Sequence, residues 1–320
     1  MSNSQTMDTQ QKFKLILSQL PKITLLIFSL SILTLLFTLS LQSTNVGNIL
    51  RNATGTTNVQ VAAGEATFIV ISTFIGSFII LLLLLKNKFT IIRALFISSI
   101  FITLFIALEI HLSSLFLRIT WINDNLILLI DILLSLTLLY MIFVSKNINM
   151  NITGLTVLTS IIGSLFGTMF TEIQITLILI MLSLYDIFTV TKGPLKKIII
   201  KLNEIELQEN TEKIIKNTPH EANVSNIQVR KDMSKLSFQR GMFFTLGYVE
   251  FGVGDMLFYS AMIANASIIA FIAYLTTLIG VLIGIIITLY LLTRKELVPG
   301  LPIPSMMGLT ALWITKLILK

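Results

Sequence analysis

Long apolar runs separated by short polar breaks fill the chain from residue 23 onward. Stretches such as Ile79 to Leu85 and Ile283 to Leu292 are continuously apolar, unlike the alternating segments of a membrane barrel. A helix rises 1.5 Å per residue and needs about 20 apolar residues to cross a roughly 30 Å hydrocarbon layer. On that ruler the runs predict spans at about 23–42, 65–85, 89–111, 125–145, 150–170, 173–191, 243–264, 267–292 and 303–319. The expected fold class is all-α: a polytopic membrane protein of about nine transmembrane helices. Three parts are expected: an N-terminal transmembrane part over 1–191, a polar loop over 192–240 and a C-terminal transmembrane part over 241–320. Met1 to Gln11 has no short apolar core with a small-residue cleavage site, so it reads as a retained tail.

Composition agrees with this picture: 54% of the 320 residues are apolar and 12% are charged. Charge then orients the chain. On the nine-span arrangement, 19 of the 23 Lys and Arg residues fall on one side, the other four being Arg51, Arg118, Lys316 and Lys320. Basic residues gather on the cytoplasmic side, so the N-terminus and the 192–240 loop are expected in the cytoplasm and Lys320 outside. The net charge of +7 sits beside spans and does not predict nucleic-acid binding. Within the loop, Leu195, Ile198, Ile199, Leu202, Ile205 and Leu207 recur near a helical period. That pattern suits an amphipathic helix on the membrane face or a solvated linker, and Pro219 with Asn217, Asn223 and Asn226 predicts an irregular remainder.

With no cysteine in the chain, and with His111 and His220 as its histidines, carboxylates are the main chemical resource. Acids inside spans are functional candidates because an ionised carboxylate in lipid costs several kcal/mol. Glu109 lies beside His111 near an outer helix end, and Asp131 follows the polar Asn123-Asp124-Asn125, so it is expected to snorkel to the interface. Asp186 and Asp255 lie deeper, roughly 20 and 14 Å from the outer ends of their spans, and can share one level. Gly252 and Gly254 beside Asp255 leave room for a neighbouring helix to approach. Two such carboxyls share a proton, so that one activates water while the other donates to the oxyanion or leaving amine. That chemistry needs no metal and no cofactor. His220-Glu221 lacks a histidine at 224, so HExxH is absent, and no GxSG motif occurs.

Leu184-Tyr185-Asp186-Ile187-Phe188 resembles the YD motif of presenilins and signal peptide peptidases, and Phe251-Gly252-Val253-Gly254-Asp255 resembles their GxGD motif. Val298-Pro299-Gly300-Leu301-Pro302 resembles their PAL motif, with Gly300 where the family has alanine. The resemblance implies an intramembrane aspartyl protease with a presenilin-like bundle. It assigns Asp186 and Asp255 as the catalytic pair, with Tyr185, Gly252, Gly254, Pro299, Gly300, Leu301 and Pro302 as motif or substrate-binding residues. Its substrates would be single-span transmembrane proteins in the lipid bilayer, and need for accessory subunits stays open. Asp255 to Ser260 is most similar to presenilins, and the short termini resemble archaeal members, which implies an archaeal cell membrane.

Tyr185 is expected either to hydrogen-bond near the dyad or to pack between helices, and Gly300 to loosen its loop. Pro299, Pro302 and Pro304 prevent regular helix before the last span, and irregular backbone at membrane depth is tolerated where it lines a cavity. An unwound substrate would need new backbone partners, for which Phe243 to Phe251 and Leu301-Pro302-Ile303 are the expected strand-adding segments. Two other functions compete. Type IV prepilin or preflagellin peptidases share the FGxGD element alone, and a proton-coupled transporter using the four acids would show inverted repeats, which are not visible.

Overall fold

The apolar runs become helices. The structure is a computed structural model that describes residues 9–44, 46–56, 58–86, 89–116, 123–191, 243–246, 249–294 and 298–319. Its elements are α1 (Thr9–Ser43), α2 (Val46–Thr54), α3 (Val59–Leu85), α4 (Phe89–Phe116), α5 (Asp124–Leu139) with a π turn over Tyr140–Val144, α6 (Ile148–Met169), α7 (Glu172–Thr191), β1 (Phe243–Leu246), β2 (Val249–Gly252), α8 (Val253–Ile269), α9 (Phe271–Leu292) and α10 (Pro302–Ile318). Among the described residues seven helices, α1, α3 to α7 and α9, are long and apolar enough to cross a membrane, which makes this an integral, multi-pass membrane protein. The seventh and ninth expected spans are the 17-residue helices α8 and α10, shorter than the about 20 residues of a full crossing. The 192–240 loop, with its expected amphipathic helix, lies outside the described residues.

The seventh expected span is a correction. Residues 243–252, expected to open a helix, form an antiparallel hairpin that pairs Phe243 with Gly252 and Leu246 with Val249. A short apolar run does not distinguish helix from strand, and here Phe244, Leu246, Val249 and Phe251 are buried while Glu250 is exposed. That is the period of two of a strand with one covered face.

Helices in lipid gain little from hiding apolar surface from one another, so close backbone approach and interhelical hydrogen bonds hold the bundle. On α6, a side chain at Gly163 would strike Ser260, and one at Gly167 would strike Ala264 of α8. Asn265 of α8 donates its amide to the carbonyls of Gly167 (3.0 Å) and Phe170 (2.8 Å), closing the end of α6. Gly284 of α9 lies directly under the Pro304 backbone of α10. Hydroxyl pairs clasp further contacts: Thr34–Ser260 at 2.7 Å, Ser31–Tyr274 at 3.2 Å, Ser183–Ser305 at 2.9 Å and Thr276–Thr315 at 2.8 Å. At one end Glu172 of α7 bridges Arg51 (2.9 Å) and Lys316 (3.3 Å), joining α2 and α10. α3 is the exception, with Phe68, Phe74 and Phe78 about half exposed or more. Its main partner is α7, which in turn packs on α10 and barely touches α8.

The snorkelling expected of Asp131 does not occur. Asp131 is fully buried between α4 and α5, where its carboxyl faces that of Glu109. Ser135 donates to Asp131 over 3.4 Å and Ser113 to Glu109 over 3.5 Å. His111 turns instead to α6, with Nε2 3.0 Å from the Ser164 hydroxyl. The carboxyl thus lies against a second carboxyl, where the sequence suggested that it would reach water.

Candidate active site

Asp255 is the third residue of α8, in the first turn after the Gly252 cap, whose backbone is extended (φ −63°, ψ 138°). Its carboxylate reaches back and accepts the Gly252 N–H, the arm that an acidic side chain at this position supplies in a capping box. Local helix-start geometry therefore aims Asp255. Asp186 lies in the last turns of α7, five residues before its end at Thr191. Both carboxyls are half-buried and near enough to interact electrostatically.

The loop after α9 joins them. The N–H groups of Gly300 and Leu301 both donate to Asp186, the latter at 3.2 Å to Oδ2. The Gly300 carbonyl accepts the Tyr259 hydroxyl at 2.7 Å. Gly300 also faces Asp255 so closely that a Cβ would collide with Oδ2. Pro302 then begins α10, while the Leu301 carbonyl accepts the Ser305 N–H (3.1 Å) and hydroxyl (2.7 Å). Beside the site an apolar cavity of about 350 Å³ opens between α3, α6, α7 and α8, lined by Phe68, Phe166, Phe170, Leu179, Gly254 and Phe258 among others. Among the described residues no three His, Asp or Glu side chains gather as metal ligands would.

The fold has known relatives. The presenilin family model matches residues 201–320. Presenilin-B of Dictyostelium discoideum is 25% identical over 163 residues, which make up 50% of this chain and 29% of that protein. Two structures of a presenilin family intramembrane aspartate protease, in the C222 and P2 space groups, superpose with TM-scores of 0.57 and 0.55. They are 14% and 15% identical to this chain, and the superpositions cover 93% of it and 99% and 97% of theirs. The chain has the presenilin fold. The resemblance to presenilins is thereby shown, although the chain spans less than a third of Presenilin-B.

Within this presenilin-like bundle the expected site residues divide. Asp186, Asp255, Gly252, Gly300 and Leu301 converge, and Pro299 and Pro302 bracket the loop that joins them. Tyr185 turns away: its hydroxyl donates to Ser77 of α3 at 2.8 Å and its ring meets Phe74 edge-on, so it packs between helices. Gly254 brings no helix close, because the space where its side chain would stand is open. Gly300 is not a loosened point. Its missing side chain makes room for Asp255, and its backbone is tied on both sides. Tyr259 was not among the expected site residues, yet its place four residues after Asp255 was a readable signal, since that spacing puts both on one helix face.

Proposed function

We propose that this protein is an intramembrane aspartyl protease, an aspartic endopeptidase that hydrolyses peptide bonds within transmembrane helices of single-span substrates. The observation that carries the proposal is the convergence of Asp186 and Asp255, from different helices, on one irregular loop beside an apolar cavity. That the solved relatives are named intramembrane aspartate proteases supports it. The pair holds one proton between its members. The ionised carboxylate takes a proton from water as the oxygen attacks the peptide carbonyl, and the protonated member donates to the developing oxyanion. Collapse of the tetrahedral species breaks the C–N bond: the carboxyl that took water's proton gives it to the leaving amine, the other takes back the proton it lent to the oxyanion, and the pair again holds one proton.

A peptide bond in an intact helix is shielded, so the substrate unwinds and seeks backbone partners. The β1–β2 hairpin, which runs straight into Asp255, is the favoured acceptor. The Leu301 N–H and C=O are already engaged by Asp186 and Ser305, so the second expected strand-adding segment would have to release one of them first. The charge bias favours a cytoplasmic N-terminus and 192–240 loop. The division into 1–191, 192–240 and 241–320 then separates the YD part from the GxGD and PAL-like part. Purified protein in lipid, given a single-span substrate, should cleave it, whereas Asp255→Ala should not. Equal cleavage by the two would remove the proposal, and labelling that found residues 192–240 outside would reverse the orientation.

A further inference from the structure

We propose that Tyr259 is a positioning residue that sets the spacing and orientation of the two carboxyls through one peptide plane, an inference that rests on the aspartyl-protease reading. The Gly300 carbonyl and the Leu301 N–H belong to the same peptide unit, which is planar and trans, with the two groups pointing to opposite edges. On one edge the Tyr259 hydroxyl of α8 donates to the carbonyl at 2.7 Å. On the other the N–H donates to Asp186 Oδ2 of α7 at 3.2 Å. A relay thus runs from the helix of Asp255, across the loop, to the carboxylate on α7, and each bond of such a chain polarises the next.

This relay matters because α7 and α8 barely touch directly. Their carboxyls are registered by what lies between them, and that is the loop. Beyond Leu301 the loop is anchored to its own helix by Ser305. Toward α8, Tyr259 supplies the hydrogen bond. Gly300 gives the peptide plane little steric resistance to rotation, so fixing the carbonyl keeps the N–H aimed at Asp186. Tyr259 suits this role because it is 1% exposed and sits one helical turn beyond Asp255. With its proton committed to Gly300, it is not the proton donor to a substrate.

Tyr259→Phe removes the hydroxyl and keeps the ring. Hydrogen–deuterium exchange of residues 298–304 reads the loop with or without activity, because three prolines leave few amides there. Expected are a roughly five- to tenfold faster exchange of the Gly300 and Leu301 amides and a similar fall in kcat with KM within about twofold. Tyr274→Phe, which deletes another buried hydroxyl bond (to Ser31) away from the site, should change neither. Unchanged exchange in Tyr259→Phe overturns the proposal, even if kcat falls. If the wild-type protein cleaves nothing, the protease reading fails while exchange still decides the role of Tyr259.

Discussion

The bundle holds two pairs of acids on neighbouring helices, and they differ in everything but the carboxyls. Glu109 and Asp131 meet each other and two serine hydroxyls, and Asp131 has no exposed surface. Asp186 and Asp255 are half-buried and receive backbone N–H groups from Gly252, Gly300 and Leu301, and Gly254, next to Asp255, helps to line an apolar cavity. The first pair is a contact between side chains, each carboxyl facing the other and one serine hydroxyl. The second has fixed backbone donors that hold its geometry. Two acids close together are therefore no active site in themselves. On the proposed function, a chemical role also needs donors that hold the carboxyls in place.

The comparison can be broken most directly at the second pair. Asp186→Ala or Asp255→Ala should each lower cleavage of a single-span substrate by about a thousandfold or more, because members of such a unit fail together. Appreciable turnover by either would dissolve the contrast. Next, Gly300→Ala points a methyl group at Asp255, and the loop must shift. Although presenilins carry alanine there, kcat should fall roughly ten- to a hundredfold here, as expected for a displacement of about 1 Å, and an unchanged kcat would show that the loop yields freely. Gly284→Ala should then cost about 1–3 kcal/mol by pushing on Pro304. Measured by denaturation in detergent, its effect should come with reduced cleavage, since Pro304 adjoins the loop. Smallest of all, Asp131→Asn and Glu109→Gln should keep cleavage within about twofold, because an amide can replace the protonated acid. Loss comparable to that of the dyad variants would favour a relay through all four acids.

Much of this was legible in the chain. Helix positions followed from the apolar runs because lipid makes length and hydropathy decisive, and Asp186 and Asp255 stood out because charge in such runs is costly. The hairpin was not legible as a fold change, since Phe243 to Phe251 is as apolar as the helices around it and its alternation extends over few residues. The fate of Asp131 depended on which α4 residue faced it, which is tertiary information. Tyr185 and Gly300 show the same limit: their motifs were visible, but the direction of a ring and the room left by a missing Cβ exist only once three elements have met.

The hydroxyl clasps carry a last consequence. Apolar side chains stick to one another at almost any axial offset, so a bundle assembled from leucine and isoleucine alone would be free to slide. Thr34–Ser260, Ser183–Ser305 and Thr276–Thr315 cannot slide. A slip of one turn, 5.4 Å, separates every such pair beyond hydrogen-bond reach. Each contributes little on its own, about 1 kcal/mol, but together they act as a vernier. They select one longitudinal alignment of α1, α7, α8, α9 and α10 out of many that lipid would tolerate equally, and in that alignment Asp186 and Asp255 arrive at the same depth.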